Sequence, residues 1–526
     1  MKNTNPSTFY DIFIKLKSDK KNALHFFSMN PASFMEKKRK SFAEIHRDIQ
    51  ICCNNLVKTG ITDNATVGLN IDNSYFFFVC DFALILLGAV TLLHSKNDPV
   101  ELLKERIDTF HIDYIVSEKN VPEIEGICPV IQLDALFDNS AAPVEIKAYE
   151  LQHRDVSICF SSGTSGIPKA LGASEYGSIE TGKWFFKWMG FDSTDRFLVY
   201  LPLASYQQRF LMWGCLLKDV DIILVDDKTL FQGLQEFKPT ILIAPPNFYF
   251  NLYRMNTGSR FKQMVREILP YNRKSKLLKF VAATYTYKPL YEALGGKTRY
   301  LITGMAPIDI KILGHFERGY VDIYQIYGQT EIGMIACNKI GANKLGTVGK
   351  PIIKIQLEEE DNEIITTSDF PTINSYYLEN NKRVALGKRI PTGDIGHIDE
   401  DGYLTIKGRK NETLILKSGI KINPVLIETK IKAKTTIDEV VIFKPGEEDK
   451  KTGLHVALLV KFPAQPLEID KIKEMIRNEH EIKQSSEKVS IFTYTVKEED
   501  KKVMYTENNK FSRIRAIELL KNQTVD

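Results

Sequence analysis

One short segment concentrates hydroxyl groups, glycines and a lysine in a way that suits phosphate binding. Residues 161–169 read SSGTSGIPK and follow the apolar segment VSICF, which is predicted to be a strand. Backbone N–H groups in such a loop can form an anion-binding nest, to which Lys169 adds a positive charge. The segment does not match the phosphate-loop pattern GxxxxGK(S/T). Taken alone, its composition fits a flexible linker as well as a phosphate loop.

Five later segments carry further groups that suit nucleotide chemistry. They are TGMAP (303–307), IYGQTE (326–331), TGD (392–394), GRKNETLILKSGIKINPVLIE (408–428) and NNKFSRIR (508–515). The Glu331 carboxylate is a ligand that Mg²⁺ accepts, and the Thr330 hydroxyl can donate to a phosphate. Tyr327 offers a ring that can stack on adenine, and Asp394 can accept both ribose hydroxyls. These residue types suit a nucleotide site, and the resemblance that the five segments carry together implies that its nucleotide is ATP.

In this order and spacing the segments resemble the signature motifs of the adenylate-forming (AMP-binding) superfamily. That superfamily includes acyl-CoA synthetases, aryl-CoA ligases, nonribosomal adenylation domains and luciferase, and the chain looks most like the acyl-CoA synthetases. The resemblance extends to KSFAEI (40–45) and FALILLGAVTLL (82–93), so it covers nearly the whole chain. It implies an enzyme that uses ATP to convert a carboxylic acid into an acyl-adenylate with release of pyrophosphate. The acyl group then passes to a thiol.

The resemblance also assigns roles to the motif residues. The residues expected to bind the ATP phosphates are Ser161, Ser162, Gly163, Thr164, Ser165, Gly166 and Lys169. Those expected at adenine and ribose are Gly304, Met305, Ala306, Tyr327, Gly328, Asp394 and Arg409. The expected catalytic residues are Lys510, Thr330 and Glu331, of which Glu331 also holds Mg²⁺ and Lys510 stabilises charge during adenylation. Asn411, just after Gly-Arg, corresponds to the hinge about which the C-terminal domain of the family rotates.

The acid pocket is predicted to be apolar and aromatic, which suits a fatty or aryl acid. The candidate contacts are Tyr206, Asn247 and Tyr324, which lie in LPLASYQQRF, PPNFYF and YQIYG. An α-amino acid is disfavoured because LPLASYQQRF has no aspartate to pair with an ammonium group. Coenzyme A is favoured as the thiol acceptor. The phosphopantetheine of an acyl carrier protein presents the same thiol arm and stays an alternative.

Three departures from the family pattern motivate a hypothesis from a different class. Asn411 replaces the usual Asp or Lys, Asn509 replaces a Gly, and Ser205 with Tyr206 stands where many acyl-CoA synthetases have a histidine. A nucleotide-binding protein that has lost turnover is the alternative they suggest. Retention of Lys169, Glu331, Asp394 and Lys510 favours an active enzyme.

The elements that must position these residues alternate between strand and helix. Apolar segments such as ATVGLNI (65–71), RFLVYLPL (196–203) and TILIAPP (240–246) alternate with helical patterns, which indicates an α/β fold. After Thr347 short strands with turn signals predict an antiparallel β-rich subdomain. We therefore expect a large N-terminal domain (1–408), with parallel-type sheets sandwiched by helices plus this subdomain. A small, mobile α+β lid domain (409–526) completes the chain.

Composition excludes several other classes of protein. The net charge of +4 in 526 residues is too small to indicate a nucleic-acid partner. Seven cysteines without metal-ligand spacing indicate a reduced, cytoplasmic setting. The most apolar stretch, 76–93, contains Asp81 and a Gly-Ala-Val break, so we predict a buried helix followed by a buried strand instead of a membrane span.

Overall fold

The computed structural model describes most of the chain. The residues outside its description are 1–7, 30–34, 95–98, 140, 141, 143, 150–153, 161–168, 258–287, 319, 320, 360, 378–381, 417–420, 436, 438, 445–452, 461–465, 480, 481, 484–488, 506–510 and 524–526.

Strands and helices alternate as the sequence predicts. The strands are β1 (Ala23–Met29), β2 (Met35–Ser41), β3 (Thr66–Asn70), β4 (Val90–Leu93), β5 (Tyr114–Ser117), β6 (Val130–Gln132), β7 (Asp155–Phe160), β8 (Ala170–Ser174), β9 (Arg196–Val199), β10 (Asp221–Leu224), β11 (Ile241–Ala244), β12 (Tyr300–Thr303), β13 (Ile323–Gln329), β14 (Gly333–Cys337), β15 (Lys350–Pro351), β16 (Lys354–Leu357), β17 (Glu363–Thr367), β18 (Ile373–Tyr377), β19 (Arg383–Ala385), β20 (Arg389–Ile398), β21 (Leu404–Arg409), β22 (Leu414–Ile415), β23 (Lys421–Ile422), β24 (Glu439–Phe443), β25 (Leu454–Val460) and β26 (Val489–Thr495).

The helices of the described segments begin close to their sequence signals. They are α1 (Phe9–Leu16), α2 (Phe42–Lys58), α3 (Tyr75–Leu86), α4 (Val100–Phe110), α5 (Glu175–Met189), α6 (Tyr206–Lys218), α7 (Leu230–Phe237), α8 (Pro246–Thr257), α9 (Lys288–Ala293), α10 (Ile310–Arg318), α11 (Pro424–Lys434), α12 (Pro466–Arg477), α13 (Glu498–Met504) and α14 (Arg513–Gln523). Ser41, for example, caps α2 by accepting from the Glu44 backbone N–H, while the Glu44 carboxylate accepts from the Ser41 N–H.

Two large sheets form the bulk of the molecule. One has nine strands in the order β15-β14-β13-β12-β11-β9-β10-β1-β2, and its central pairs are parallel. The other has eight strands in the order β19-β18-β8-β7-β4-β3-β5-β6, and the pairs from β7 to β6 are parallel. The largest apolar core includes buried faces of both sheets and of α1, α2, α3, α5 and α6. The predicted α/β architecture is confirmed.

The segment 76–93 folds as predicted. Residues Tyr75–Leu86 form α3, which is almost wholly buried, and Val90–Leu93 form the parallel strand β4. Asp81 lies inside this core because Arg209 of α6 pairs with it. Among the helices that the structure describes, none combines the length and apolar character needed to cross a bilayer.

A four-stranded antiparallel sheet, β16-β17-β20-β21, begins in the chain directly after β15, the last strand of the nine-stranded sheet. It is the β-rich subdomain that the turn signals after Thr347 predict. Beyond it, β22 and β23 form a two-stranded antiparallel sheet, and β24, β25 and β26 form a three-stranded sheet. The apolar cores of this part are drawn from residues 414–520. The domain boundary at 408–409 stays a prediction, and β21 runs through it to Arg409.

Candidate active site

Several predicted site residues lie at the same edge of the nine-stranded sheet. The carboxyl ends of neighbouring parallel strands meet at one edge, which is where ligands bind in open α/β sheets. There β9 leads towards Tyr206, β11 leads to Asn247, β12 leads to Gly304, and β13 itself carries Tyr327. The topology therefore brings together motifs that are more than a hundred residues apart in the chain.

Asp394 lies at the centre of the predicted ribose site and contacts three neighbouring side chains. Its carboxylate accepts from the Tyr327 hydroxyl at 2.6 Å and from Gln329 Nε2 at 2.8 Å, both on Oδ2. Arg409 Nε lies 3.0 Å from Oδ1. Asp394 is only 4% exposed, so a buried charge is compensated by one cation and two neutral donors. Three of the predicted nucleotide residues, Tyr327, Asp394 and Arg409, are thus in direct contact.

The local backbone explains why these groups meet. Asp394 of β20 and Arg409 of β21 are directly opposite in an antiparallel pair. The Asp394 backbone N–H donates to Thr392 Oγ1 at 3.1 Å, which shapes the Thr-Gly-Asp turn. Residue 393 has a φ of 71°, a conformation that favours glycine. The side chain of Asp394 is therefore directed by its own turn and by its strand partner.

Tyr327 keeps its proton in this site. Burial, and then the neighbouring Asp394 carboxylate, raise the pKa of Tyr327 well above its ordinary value. The hydroxyl consequently remains a donor to Asp394. The next residue is necessarily small, because a Cβ at Gly328 would collide with the carbonyl oxygen of Gly333 in β14. The contact of the Tyr327 ring with adenine stays a prediction.

Thr330 and Glu331 lie in the tight turn between β13 and β14, and the turn is held from two sides. Thr372 Oγ1 donates to the Thr330 carbonyl at 2.6 Å, and the Ile373 N–H donates to the Glu331 carbonyl at 3.1 Å. Gln207 Nε2 of α6 donates to Thr330 Oγ1 at 2.8 Å. The turn therefore presents a hydroxyl and a carboxylate from a constrained backbone.

Glu331 also lies near the strand that precedes the predicted phosphate loop. Burial raises the pKa of the Cys159 thiol to about 12, and the Glu331 carboxylate adds to this increase while Arg209 opposes it. Cys159 is the penultimate residue of β7, and that strand ends directly before residues 161–168. A carboxylate at this position suits a divalent cation that also contacts phosphate.

The remaining predicted residues occupy different environments. Met305 has a φ of 70° and is 53% exposed, a left-handed conformation that is uncommon outside glycine and found at binding sites. Lys169 directly precedes β8 and is exposed, as is Asn411 in the short 3₁₀ helix Lys410–Glu412. Ser161, Ser162, Gly163, Thr164, Ser165, Gly166 and Lys510 lie outside the described residues.

The three candidate acid contacts differ in exposure. Asn247 is exposed in the first turn of α8, whereas Tyr324 is buried against Tyr300, with ring centroids 5.3 Å apart. Tyr206 is 2% exposed, and its hydroxyl shares a hydrogen bond with Ser178 of α5. Their contact with an acid stays a prediction.

Sequence reasoning missed two polar residues of this site. Gln329 donates to Asp394. The sequence carries a signal for this contact, because residues i and i+2 of a strand share a face and Tyr327, two positions earlier, is a predicted site residue. Gln207 contacts Thr330 from 123 positions away. A glutamine in the first turn of a helix, next to a second glutamine, carries no local signal for that contact.

Comparison with known proteins supports the resemblance read from the motifs. The family described as AMP-binding enzyme matches residues 17–365. The long-chain-fatty-acid–CoA ligase FadD15 of Mycobacterium tuberculosis is 26% identical over 448 residues, which are 76% of this chain and 74% of that protein. The 2-succinylbenzoate–CoA ligase of Listeria innocua is 24% identical over 441 residues, 82% of this chain and 85% of that protein.

Solved structures show the same fold. The o-succinylbenzoate CoA synthetase MenE of Bacillus subtilis, in complex with the acyl-adenylate OSB-AMP, superposes with a TM-score of 0.76 at 17% identity and covers 99% of both chains. The anthranilate CoA ligase AuaEII, in complex with anthranoyl-AMP, superposes with a TM-score of 0.78 at 17% identity, also over 99% of both chains.

Proposed function

Because the chain belongs to the family of AMP-binding enzymes, we propose that it is an ATP-dependent acid–thiol ligase. In the first step a carboxylate oxygen attacks the α-phosphorus of ATP, the bond to the bridging oxygen breaks, and pyrophosphate leaves. In the second step a thiol sulfur attacks the acyl carbon of the adenylate, loses its proton, and expels AMP. The products are a thioester, AMP and pyrophosphate.

The contact of Asp394 with Tyr327, Gln329 and Arg409 is the observation that carries this proposal. A buried carboxylate that is oriented by three donors still has free lone pairs, and these can accept ribose hydroxyls. Thr330 lies one residue beyond Gln329, so a nucleotide whose ribose lies at Asp394 would bring its α-phosphate towards the Thr330 hydroxyl. That hydroxyl would donate to the phosphate oxygen on which charge accumulates.

The residues present also fit a magnesium ion. The half-buried Glu331 carboxylate is a hard oxygen ligand on a constrained turn, near the end of β7, and Mg²⁺ is commonly bound by one or two carboxylates together with substrate phosphates. Bound Mg²⁺ supplies charge neutralisation at the pyrophosphate leaving group. Lys169 and the hydroxyl-rich residues 161–166 are proposed to bind the same phosphates, and Lys510 to approach the α-phosphate during adenylation.

We propose a fatty or aryl acid as the substrate. The curated relatives include a long-chain-fatty-acid ligase and succinylbenzoate ligases. The segment PPNFYF that follows β11 carries aromatic side chains, of which Phe248 is only partly buried, and this supports an apolar acid. Tyr206, Asn247 and Tyr324 stay the candidates for contact with it.

Coenzyme A is the proposed acceptor, with the phosphopantetheine of an acyl carrier protein as the second candidate. A cytoplasmic setting belongs to the same proposal. It is supported by the cysteines, because all seven are free thiols within the core.

A pyrophosphate-exchange assay tests the proposal directly. Purified enzyme is incubated with MgATP, labelled pyrophosphate and a panel of fatty, aryl and amino acids, and exchange is expected with one of the first two classes. Coenzyme A and a phosphopantetheinylated carrier protein are then supplied separately to identify the acceptor. Normal ATP binding without exchange for any acid would instead favour a nucleotide-binding protein that lacks turnover.

A further inference from the structure

We propose that Gln207 is a positioning residue, which orients the Thr330 hydroxyl so that its proton is available to the α-phosphate. The inference rests on the proposed function and assigns a role in the same site to a residue of α6. Gln207 lies in the first turn of that helix and is half-buried. Its Nε2 donates to Thr330 Oγ1 at 2.8 Å.

The backbone of Thr330 leaves only its side chain to be oriented. The carbonyl of Thr330 accepts from Thr372 Oγ1 at 2.6 Å, and the carbonyl of Glu331 accepts from the Ile373 N–H at 3.1 Å. Both bonds come from the segment at the start of β18. The hydroxyl itself can still rotate, and its donor direction depends on what it accepts.

The hydrogen bond from Gln207 determines that direction. A threonine hydroxyl has one proton and two lone pairs, so accepting from the amide occupies a lone pair and leaves the proton for another acceptor. A donor that already points at the place where charge develops costs no reorganisation during the reaction. The uncharged amide also places no negative charge beside the phosphates, unlike a carboxylate of the same length.

The helix that carries Gln207 is firmly anchored on both sides of this residue. The preceding Tyr206 shares a hydrogen bond with Ser178 of α5, and both residues are buried. Two positions later Arg209, which is 2% exposed, donates to Asp81 Oδ2 at 2.9 Å and to Ser157 Oγ at 2.7 Å. These contacts fix the first turn of α6 relative to α3, α5 and strand β7 of the eight-stranded sheet, so Gln207 can hold Thr330 from a rigid element.

The experiment combines two single variants and their double. Gln207→Met keeps the side-chain length without the donor, and Thr330→Val removes the hydroxyl at constant shape. Pyrophosphate exchange is measured with dodecanoate and benzoate as probe acids, and AMP affinity is measured by calorimetry. Gln207→Met should lower kcat by about tenfold with little change in the KM for ATP, because the orienting bond acts on the transition state.

The double variant tests whether Gln207 acts through Thr330. If it does, Gln207→Met should have little further effect once Thr330 is valine, since the two residues act as one unit. Losses that multiply in the double variant would overturn the proposal, as would a Gln207→Met enzyme with unchanged kcat. Near pH 8 the kcat of Gln207→Glu should be lower than that of Gln207→Met. As the pH falls, the kcat of Gln207→Glu should rise relative to that of Gln207→Met, because a protonated carboxyl can again donate.

Gln132→Met is the matched control. Gln132 of β6 also donates to a neutral side-chain oxygen, Asn120 Oδ1, at 2.8 Å, but it lies on the edge strand of the other sheet. Its removal should leave exchange and AMP affinity unchanged. If neither probe acid supports exchange in the parent enzyme, the proposed function fails for those acids and AMP affinity decides the role of Gln207. The α-phosphate of AMP carries about two negative charges near pH 8, whereas that of ATP carries about one, so the oriented hydroxyl should stabilise bound AMP more than bound ATP. AMP binding weakened by Thr330→Val but untouched by Gln207→Met would then contradict the proposed role of Gln207.

Discussion

At the scale of single residues, the site depends on how a few polar groups share protons. Asp394 accepts from Tyr327, Gln329 and Arg409, and these three donors fix the orientation of its carboxylate. Thr330 accepts from Gln207 and thereby keeps a proton to donate. Both orientations would serve a nucleotide bound as proposed, because donors and acceptors that are already oriented need no reorganisation during the reaction.

Asp394→Asn should weaken the binding of both ATP and AMP by about tenfold or more, because a neutral amide accepts poorly from ribose and from Arg409. Calorimetry with each nucleotide measures the effect. Asp369→Asn is the control, since Asp369 forms an exposed pair with Lys388 at 2.8 Å on the surface. An Asp394→Asn enzyme with the parent affinity for both nucleotides would contradict the assignment.

The cysteines should resist alkylation in the native protein. Burial raises the pKa of Cys128 to about 11 and that of Cys159 to about 12. At about pH 8 a thiol of pKa about 11 is only about 10⁻³ thiolate, whereas an ordinary cysteine is about one-quarter thiolate. Native protein and protein in urea are treated with iodoacetamide and compared by mass spectrometry. Rapid modification of either residue without urea would contradict its burial.

The same shifts predict how stability depends on pH. Since these thiols deprotonate more easily in the unfolded chain, the unfolded state binds fewer protons above its cysteine pKa of about 8.5. The free energy of unfolding should therefore fall as the pH rises from about 8.5 towards 11. Urea denaturation at several pH values measures this, and replacing Cys128 by serine should reduce the slope.

At the scale of elements, buried polar contacts join helices to the sheets that they cover. Arg209 of α6 reaches Asp81 of α3, Thr91 of β4 and Ser157 of β7 in the largest apolar core. Burial raises the pKa of Asp81, and Arg209 acts against that rise. This ion pair therefore compensates the charge of Asp81 within the apolar surroundings of α3.

Arg209→Met should destabilise the protein by about 3–5 kcal/mol, because it leaves Asp81 buried without a partner. Urea unfolding followed by circular dichroism measures the loss. The double variant Asp81→Leu with Arg209→Met should regain much of it, since no uncompensated charge remains. Lys388→Met, which breaks the exposed pair with Asp369, should leave stability nearly unchanged, because water screens an exposed ion pair. Equal losses for the buried and exposed pairs would contradict this account.

At the scale of the whole molecule, the predicted hinge lies where the β-rich subdomain ends. Arg409 closes β21, and Asn411 follows within the helix Lys410–Glu412. Lys410 contacts Asp361 at 2.6 Å and Glu363 at 3.0 Å, and Glu363 also accepts from the Gly393 N–H at 3.0 Å. The residue beside the predicted pivot is thus tied to the turn that holds Asp394. Rotation of the C-terminal part stays a prediction.

Lys510→Ala should separate the two half-reactions if that rotation occurs. Pyrophosphate exchange should fall by about 10²-fold or more, because a cation at the reacting phosphate is lost. Thiol transfer from supplied dodecanoyl-AMP should stay within about threefold, since another orientation of the domain serves that step. Lys501→Ala, in which an exposed pair with Glu498 is lost, is the control. An unchanged exchange rate would show that Lys510 has no role in adenylation.

The sequence by itself determined the family and the architecture. Motifs such as SSGTSGIPK and IYGQTE are local, so their residue types and order are readable without coordinates. The spacing of apolar residues likewise predicted the alternation of strands and helices that the structure has. The segment 76–93 illustrates this, because the internal Asp81 and the following Gly-Ala-Val were enough to predict a buried helix and strand.

Only the tertiary structure decided which of these groups touch. Asp394 and Tyr327 are 67 positions apart, Gln207 and Thr330 are 123 apart, and Asp81 and Arg209 are 128 apart. The first joins strands of two different sheets, the second joins a helix to the turn after a strand, and the third joins two helices. Each therefore depends on how separate elements pack, which no local pattern encodes. The physical reason is that a side-chain hydrogen bond needs its two heavy atoms within about 3 Å of each other. For residues so far apart in the chain, only the packing of the whole fold brings them that close.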